Sequence, residues 1–417
     1  MDIKIVPSTL KGDIKIPSSK SVTHRMLISA GLSDGVSHIS GVSLSVDIKA
    51  TISALTAIGA SFRIDGDEIT VRGISKIPEY ADINCHESGS TLRFIIPIVS
   101  ALGISASISG EGRLPQRPIT PYLRELSSKN VTFDYQNTMP FSVSGTLRSG
   151  TFRLEGDISS QFVTGLMFAL PLLNGDSEIV MTSPLQSKPY ADMTVKCLRK
   201  FGIKISETQN GYFIKGNQRY IPCDTSIEGD YSQGAFFFVA NAVGNNVNIL
   251  NLCKNSMQGD EKIVEILSDI GYNKKSDVKQ QSLSGFNVNA TDIPDLVPIL
   301  AVLGCFCNST SVITGAERLK IKESDRLEAI SSVLNTLGGN ISVTSDGLVI
   351  QPVNMLHGGI VDSFNDHRIV MAVAIASTRS NGDIIIKNAG AVRKSYPLFF
   401  DDYNNIGGNA HVINLEQ

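Results

Sequence analysis

Six times along this chain a short strand of alternating polar and apolar residues ends in a polar cluster. Each then enters an apolar stretch of about four helical turns and closes on glycine before another strand. The first three copies read GDIKIPSSKSVTHRMLISAGL, ADINCHESGSTLRFIIPIVSALG and GTFRLEGDISSQFVTGLMFALPLLNG. The next three read DTSIEGDYSQGAFFFVANAVG, FNVNATDIPDLVPILAVLG and GIVDSFNDHRIVMAVAIASTRSNG. With Ser21, Ser90, Gln161, Ser232, Asp295 and Asp366 marking the helix starts, successive copies lie 69, 71, 71, 63 and 71 residues apart. A repeat of that length is one supersecondary unit used again and again. Six units in 417 residues predict a duplicated domain of three units each, since one core rarely serves so long a chain.

Amphipathic helices are predicted between the apolar ones. SVDIKATISALTAIGA, MTVKCLRKFG and EKIVEILSDIG space their apolar residues at helical intervals and end in glycine. ESDRLEAISSVLNTLGG places Leu327, Ile330, Leu334 and Leu337 on one face, with Gly338 as a C-cap. Each unit therefore reads strand, buried helix, strand, amphipathic helix, strand, an α/β class. A scaffold that merely stacks its repeats would spread unusual residues over a surface. Here they gather at one place in each unit, the corner where strand turns into buried helix.

The corners hold Ser19, Lys20, Ser21 and Arg25; then Glu87, Ser88, Gly89, Ser90 and Arg93; then Ser159, Ser160 and Gln161. The second half supplies Asp230, Ser232 and Gln233, then Asp295, then Asn365, Asp366, His367 and Arg368. Ser, Asp and Asn are ordinary N-caps. Cations are not, because Lys20 and Arg368 oppose the helix dipole by about 0.3–1 kcal/mol each. A bound anion reverses that sign, since backbone N–H groups and cations then converge on it. GEGRLPQRPITPYL adds Arg113 and Arg117, and GAVRKSYPLF adds Arg393 and Lys394. LKIKESDRLEAI brings Lys322, Glu323 and Arg326 within one predicted turn, with Lys322 and Arg326 four apart on one face. A like-charge pair there costs a few tenths of a kcal/mol unless an anion joins it. Two small anions held about 6 Å apart repel by roughly 3 kcal/mol per pair of charges at an effective dielectric near 20. A ring of fixed cations answers that repulsion.

The rest of the sequence narrows the partners. A net charge of −3 excludes a general polyanion binder, which needs a basic excess, so neither nucleic acid nor a membrane surface is expected. Cysteines 85, 197, 223, 253, 305 and 307 are scattered without metal-ligand spacing, which reads as core residues in a reducing compartment, with no metal and no disulfide. MDIKIVPSTL lacks the apolar run of a signal peptide, and no segment reaches the length of a membrane span, so a soluble cytoplasmic protein is expected.

Ten ordered motifs carry a family resemblance: GDIKIPSSKSVTHR, ESGSTLRF, GRLPQRPI, DISSQFVTGL, SKPYADMT, EGDYSQGAFF, IPDLVPILAV, IKESDRL, NDHRIVMA and KSYPLFF. From Lys11 to Phe400 the chain resembles the 5-enolpyruvylshikimate-3-phosphate synthases, or 3-phosphoshikimate 1-carboxyvinyltransferases. The resemblance implies two similar domains, each of three βαβαββ units, with buried helices aimed at an interdomain cleft that closes on substrate, an inverse α/β barrel. It also implies domain limits of 1–18 plus 228–417, the phosphoenolpyruvate and catalytic side, and 19–227, the shikimate 3-phosphate side. The implied reaction transfers the enolpyruvyl group of phosphoenolpyruvate to the 5-hydroxyl of shikimate 3-phosphate by addition and elimination. It uses no metal or organic cofactor, and a monomer acting on small molecules is expected.

Residue by residue, the resemblance implies that Lys20, Ser21 and Arg25 bind shikimate 3-phosphate, Lys20 also facing phosphoenolpyruvate. Gly89 stands where phosphoenolpyruvate approaches closely, and Arg117, Arg326, Arg368 and Lys394 match the cations for its phosphate and carboxylate. Ser159, Ser160, Ser187 and Tyr190 match contacts to the shikimate phosphate, and Gln161 touches both substrates. Asp295 and Lys322 handle the shikimate hydroxyl; a carboxylate in a helix's first turn is kept ionised by the dipole and suits a base. Glu323 matches the acid at the methylene carbon, with Lys20 as the rival. Two positions depart from the family: Glu87, where many relatives carry Asn, and Arg318, where some carry Asn. Arg93 is expected to be structural, neutralising an acid of a neighbouring unit.

Three other readings compete. Enolpyruvyl transfer to a UDP-amino sugar would want a cysteine in GEGRLPQRP, which has none. An RNA 3′-phosphate cyclase would want a basic tract interleaved with aromatics. A non-catalytic anion-binding scaffold would have no use for Asp295 and Glu323.

Overall fold

The computed structural model describes residues 1–273 and 282–414. Two compact units divide the chain, Ser18–Glu228 and Met1–Pro17 with Gly229–Gln417.

Within Ser18–Glu228 the βαβαββ unit that the resemblance implies is built three times, with one strand more than the repeat pattern alone predicts. The middle copy is typical. Strand Tyr80–Asn84 leads through helix Gly89–Leu102 to a parallel partner, Ser105–Ser109; helix Thr120–Ser127 then leads to the hairpin Val131–Asp134 and Phe141–Gly145, paired antiparallel. The sheet order is thus first, second, fourth, third strand, a βαβαββ unit. Thr151–Leu154, Ser177–Met181, Gly211–Ile214 and Ile205–Thr208 repeat that order. Thr225–Ser226, Val36–Ser40, Glu68–Arg72 and Ser61–Asp65 repeat it again, the first strand coming from the far end of the unit. In the other unit, two four-stranded sheets follow the same order: Asn287–Asn289, Ser311–Thr314, Leu348–Gln351, Asn340–Val343, and Gly359–Asp362, Ile384–Lys387, Asp2–Ile5, Ala410–Asn414. Among the described residues the sixth sheet has two strands, Lys11–Lys15 parallel to Asn246–Leu250.

The helices that the sequence marks as buried are α1 (Lys20–Gly31), α2 (Gly89–Leu102), α3 (Ser160–Ala169), α4 (Tyr231–Ala242), α5 (Val297–Cys305) and α6 (His367–Ala376). Each is apolar on nearly every side, which places a helix inside a core rather than upon it. Leu92, Ile96, Ile98 and Val99 of α2, and Val163, Leu166 and Met167 of α3, are excluded from solvent. The two helices pack at close range: a Cβ on Gly165 would fall 2.2 Å from the Arg93 carbonyl and 3.1 Å from Pro97 Cγ. Only glycine permits that approach. The amphipathic helices between them, such as Val46–Ala57 and Arg326–Thr336, bury one face each. No helix among the described residues is long and apolar enough to cross a membrane.

The consequence for function is local. Every buried helix begins within two residues of its marker, and in five of the six the polar corner caps the first turn: Ser19, Ser88, Ser159, Asp230 and Asp366 each accept a backbone N–H, whereas α5 has no side-chain cap. The capping side chains are therefore held by the backbone of buried helices.

Candidate functional site

In the unit Ser18–Glu228, α1 opens on Lys20, whose Nζ lies 2.8 Å from Asp47 Oδ2, in the first turn of helix Val46–Ala57. One turn further on, Arg25 is buried. Its Nε donates to Thr194 Oγ1 at 2.8 Å, Nη1 to the Ser21 carbonyl at 2.7 Å and Nη2 to the Tyr190 carbonyl at 3.0 Å. All three acceptors are neutral, and among the described residues no carboxylate pairs with it. Burial accordingly pulls its pKa down to about 10. Tyr190 thus meets the site through its backbone, in helix Lys188–Lys200, which begins after Ser187 in the left-handed conformation (φ 55°).

Arg117 is the second such cation. It is 8% exposed, its Nε has no hydrogen-bond partner, and no carboxylate pairs with it among the described residues. Its guanidinium lies against Gly89: a Cβ there would stand 2.5 Å from Nη1, 2.7 Å from Cζ and 2.8 Å from Nη2. Gln161 is fixed from both ends. Its Oε1 accepts from Arg93 Nη1 at 2.8 Å and its Nε2 donates to Ser90 Oγ at 3.0 Å, while its N–H is capped by Ser159. Ser160 begins α3. Arg93 also donates to the Pro118 carbonyl and lies over the Phe162 ring at 5.1 Å. The Gln161 amide of the neighbouring unit is thus one partner that holds Arg93 in place. Glu87 lies against Gly112 in the Gly/Pro-rich segment.

The other unit gathers carboxylates with its cations. Arg326, 2% exposed, spends its whole fork on three acids: Nε on Asp366 at 2.7 Å, Nη1 on Asp295 at 3.0 Å and Nη2 on Glu323 at 2.7 Å. Arg368 Nη2 holds the other oxygen of Asp295 at 2.7 Å and also reaches Ser232 Oγ at 3.1 Å. Asp366 is fully enclosed; it caps α6 through the Arg368 N–H and takes Ser324 Oγ as well. Lys394 Nζ donates to the Asn365 carbonyl at 2.7 Å. Arg318 donates to the Thr291 carbonyl at 2.9 Å.

Two expectations change here. Lys322 and Arg326 do not share a helix face. The helix starts at Arg326 behind its cap Asp325, and Lys322 is extended at the end of the 3-10 turn Glu317–Ile321. Asp295 sits in the 3-10 turn Pro294–Leu296 ahead of α5. Burial works against its charge, and Arg368 and Arg326, helped by Lys322, outweigh burial and hold it well below the usual carboxylate range. Those two arginines, distant in sequence, hold its charge.

Sequence reasoning passed over Asp47, Thr194 and the buried role of Asp366. Only Asp366 left a trace, as the acid inside the NDHR corner.

Comparison with known proteins gives consistent results. The family model described as EPSP synthase (3-phosphoshikimate 1-carboxyvinyltransferase) matches residues 5–403. The 3-phosphoshikimate 1-carboxyvinyltransferase of Clostridium novyi is 43% identical over 98% of both chains, and that of Clostridioides difficile is 42% identical over 99% of both. Among solved structures, an EPSP synthase from Acinetobacter baumannii superposes with a TM-score of 0.83 over 99% of this chain and 100% of its own, at 24% identity.

Proposed function

Given that the chain belongs to the EPSP synthase family and transfers the enolpyruvyl group of phosphoenolpyruvate to shikimate 3-phosphate, a step of the shikimate pathway, we propose that its corner residues divide that work as follows. Ser18–Glu228 is the shikimate 3-phosphate side, and Met1–Pro17 with Gly229–Gln417 is the catalytic side. Lys20, Ser21 and Arg25 bind shikimate 3-phosphate, Ser159, Ser160, Ser187 and Tyr190 receive its phosphate, and Gln161 touches both substrates. Arg117, seated on Gly89, takes phosphoenolpyruvate together with Lys20, Arg326, Arg368 and Lys394. Asp295 and Lys322 address the 5-hydroxyl, and Glu323 the methylene.

The observation that carries this reading is the pair of buried guanidinium groups, Arg25 and Arg117, that no carboxylate of the described residues neutralises. Desolvating an ion costs several kcal/mol, and leaving it without a counter-charge adds nothing to stability. A dianionic ligand supplies the charge that the fold withholds. Gly89 belongs to the same argument, because a side chain there would displace Arg117.

The chemistry follows from the other unit. As the 5-hydroxyl oxygen bonds to C2 of phosphoenolpyruvate, Asp295 takes the hydroxyl proton and C3 gains a proton from Glu323. In the second step C3 returns a proton, the C2–O bond to phosphate breaks, and the double bond re-forms. Both oxygens of Asp295 accept from arginines. Substrate anions that share those arginines leave an oxygen for the hydroxyl, so the base acts only on a loaded site.

The test is phosphate release. Purified protein should liberate inorganic phosphate from phosphoenolpyruvate when shikimate 3-phosphate is present and not without it. Release driven by a UDP-amino sugar instead would overturn the assignment.

A further inference from the structure

Behind the corner residues of Ser18–Glu228 runs a buried hydrogen-bonded ladder that the reaction itself does not require. Lys20 and His24 are four apart on α1, and Asp47 and Thr51 are four apart on helix Val46–Ala57, so each pair shares a helix face. The faces meet in two rungs, Lys20 Nζ to Asp47 at 2.8 Å and His24 Nδ1 to Thr51 Oγ1 at 2.7 Å. From Thr51 the chain continues 2.7 Å to Thr91 Oγ1 and then 2.8 Å to Ser88 Oγ, which also accepts the Thr91 N–H as the cap of α2. His24, Thr51, Thr91 and Ser88 are all at least 98% buried.

The protons in this ladder have one consistent arrangement. The Thr91 hydroxyl donates to Ser88, so Thr51 must donate to Thr91, and the proton between Thr51 and His24 must come from the ring. His24 is therefore the neutral Nδ1–H tautomer. Its Nε2, enclosed and without a partner, fits that state, and burial with the nearby Lys20 and Arg25 charges keeps the ring from protonating.

We propose that His24, Thr51 and Thr91 are positioning residues for phosphoenolpyruvate. The ladder ties the first turn of α1 to the cap of α2, and Gly89, the next residue after that cap, is the surface on which the Arg117 guanidinium rests. Shifting Ser88 shifts Gly89, and Arg117 follows. This inference rests on the reading that Arg117 binds phosphoenolpyruvate.

The experiment compares Thr51→Val, Thr91→Val, Thr51→Ser and Arg117→Ala with the parent in steady-state assays of phosphate release. Valine keeps the shape of threonine and removes the hydroxyl. Both valine variants should raise the KM for phosphoenolpyruvate about 3- to 10-fold, with the KM for shikimate 3-phosphate and kcat within about twofold of the parent. Thr51→Ser, which keeps the hydroxyl, should return the KM to near the parent value. A merely structural ladder would move both KM values together or neither, and either result overturns the proposal. If Arg117→Ala leaves the phosphoenolpyruvate KM unchanged, the reading beneath fails. If Arg117→Ala raises it and the valine variants do not, the ladder alone fails.

Discussion

Replacing Gly89 by alanine perturbs a single contact whose geometry can be followed to a number. The new Cβ would stand 2.5 Å from Arg117 Nη1, where ordinary contact begins at 3.4 Å, so the guanidinium has to withdraw by about 0.9 Å. A guanidinium–phosphate hydrogen bond of about 2.8 Å does not survive that displacement. Such charge-assisted bonds contribute about 1.5–3 kcal/mol, or about 10- to 100-fold in affinity. The arginine is long enough to recover part of this, so about tenfold is the expected rise in the KM for phosphoenolpyruvate, with a parallel loss of inhibition by its phosphonate mimic glyphosate. The backbone itself tolerates the change, because Gly89 is the first residue of α2 with helical, not left-handed, geometry. Alanine there narrows the unfolded ensemble and favours folding by about 0.4–1 kcal/mol. Steady-state kinetics with saturating shikimate 3-phosphate and a thermal melt of the same preparation test both halves. A phosphoenolpyruvate KM and glyphosate inhibition within twofold of the parent would refute the reasoning.

Three further outcomes follow from the geometry. Lys20→Ala should abolish turnover while lowering stability by less than about 1 kcal/mol, since its partner Asp47 still sits favourably in the first turn of a helix; a large drop in the urea midpoint would make Lys20 structural. Asp366→Ala should destabilise the fold by about 3–5 kcal/mol in urea unfolding, because it strips the buried Arg326 of one counter-charge and α6 of its cap; a loss below 1 kcal/mol would contradict that role. His24 is held neutral when folded and protonates near 6.5 when unfolded, so the unfolded chain binds the extra proton on acidification and stability falls as pH drops below 6.5. Between pH 6.5 and 5.5 the parent should therefore lose about 1 kcal/mol more than His24→Asn, and parallel curves for the two proteins would refute it.

The repeat and its corners were legible in the sequence because they rest on periodicity and capping chemistry, which act over a few residues. The buried helices and the duplicated α/β organisation came from that signal, while the fourth strand of each βαβαββ unit came from the family resemblance alone. Contacts between units were not legible. Nothing near Lys20 announces Asp47, and nothing near Arg326 announces a partner 40 residues away at Asp366, because such pairs depend on how separate helices pack. The misplaced Lys322–Arg326 pair had a local remedy. Asp325 followed three residues later by Glu328 is a capping signature, and the Asp325 side chain does accept the Glu328 N–H, which leaves Lys322 outside the helix. The charge of the candidate base Asp295 was not legible in full. Its charge is set by two arginines distant in sequence, which no local pattern of a 3-10 turn discloses.

The most direct test is the dissociation constant of glyphosate in the presence of shikimate 3-phosphate, measured by calorimetry on the parent, Arg117→Ala and Arg368→Ala. If Arg117 and Arg368 both serve the phosphoenolpyruvate anion, as proposed, each substitution should weaken binding at least tenfold. Weakening by only one of them would contradict the account.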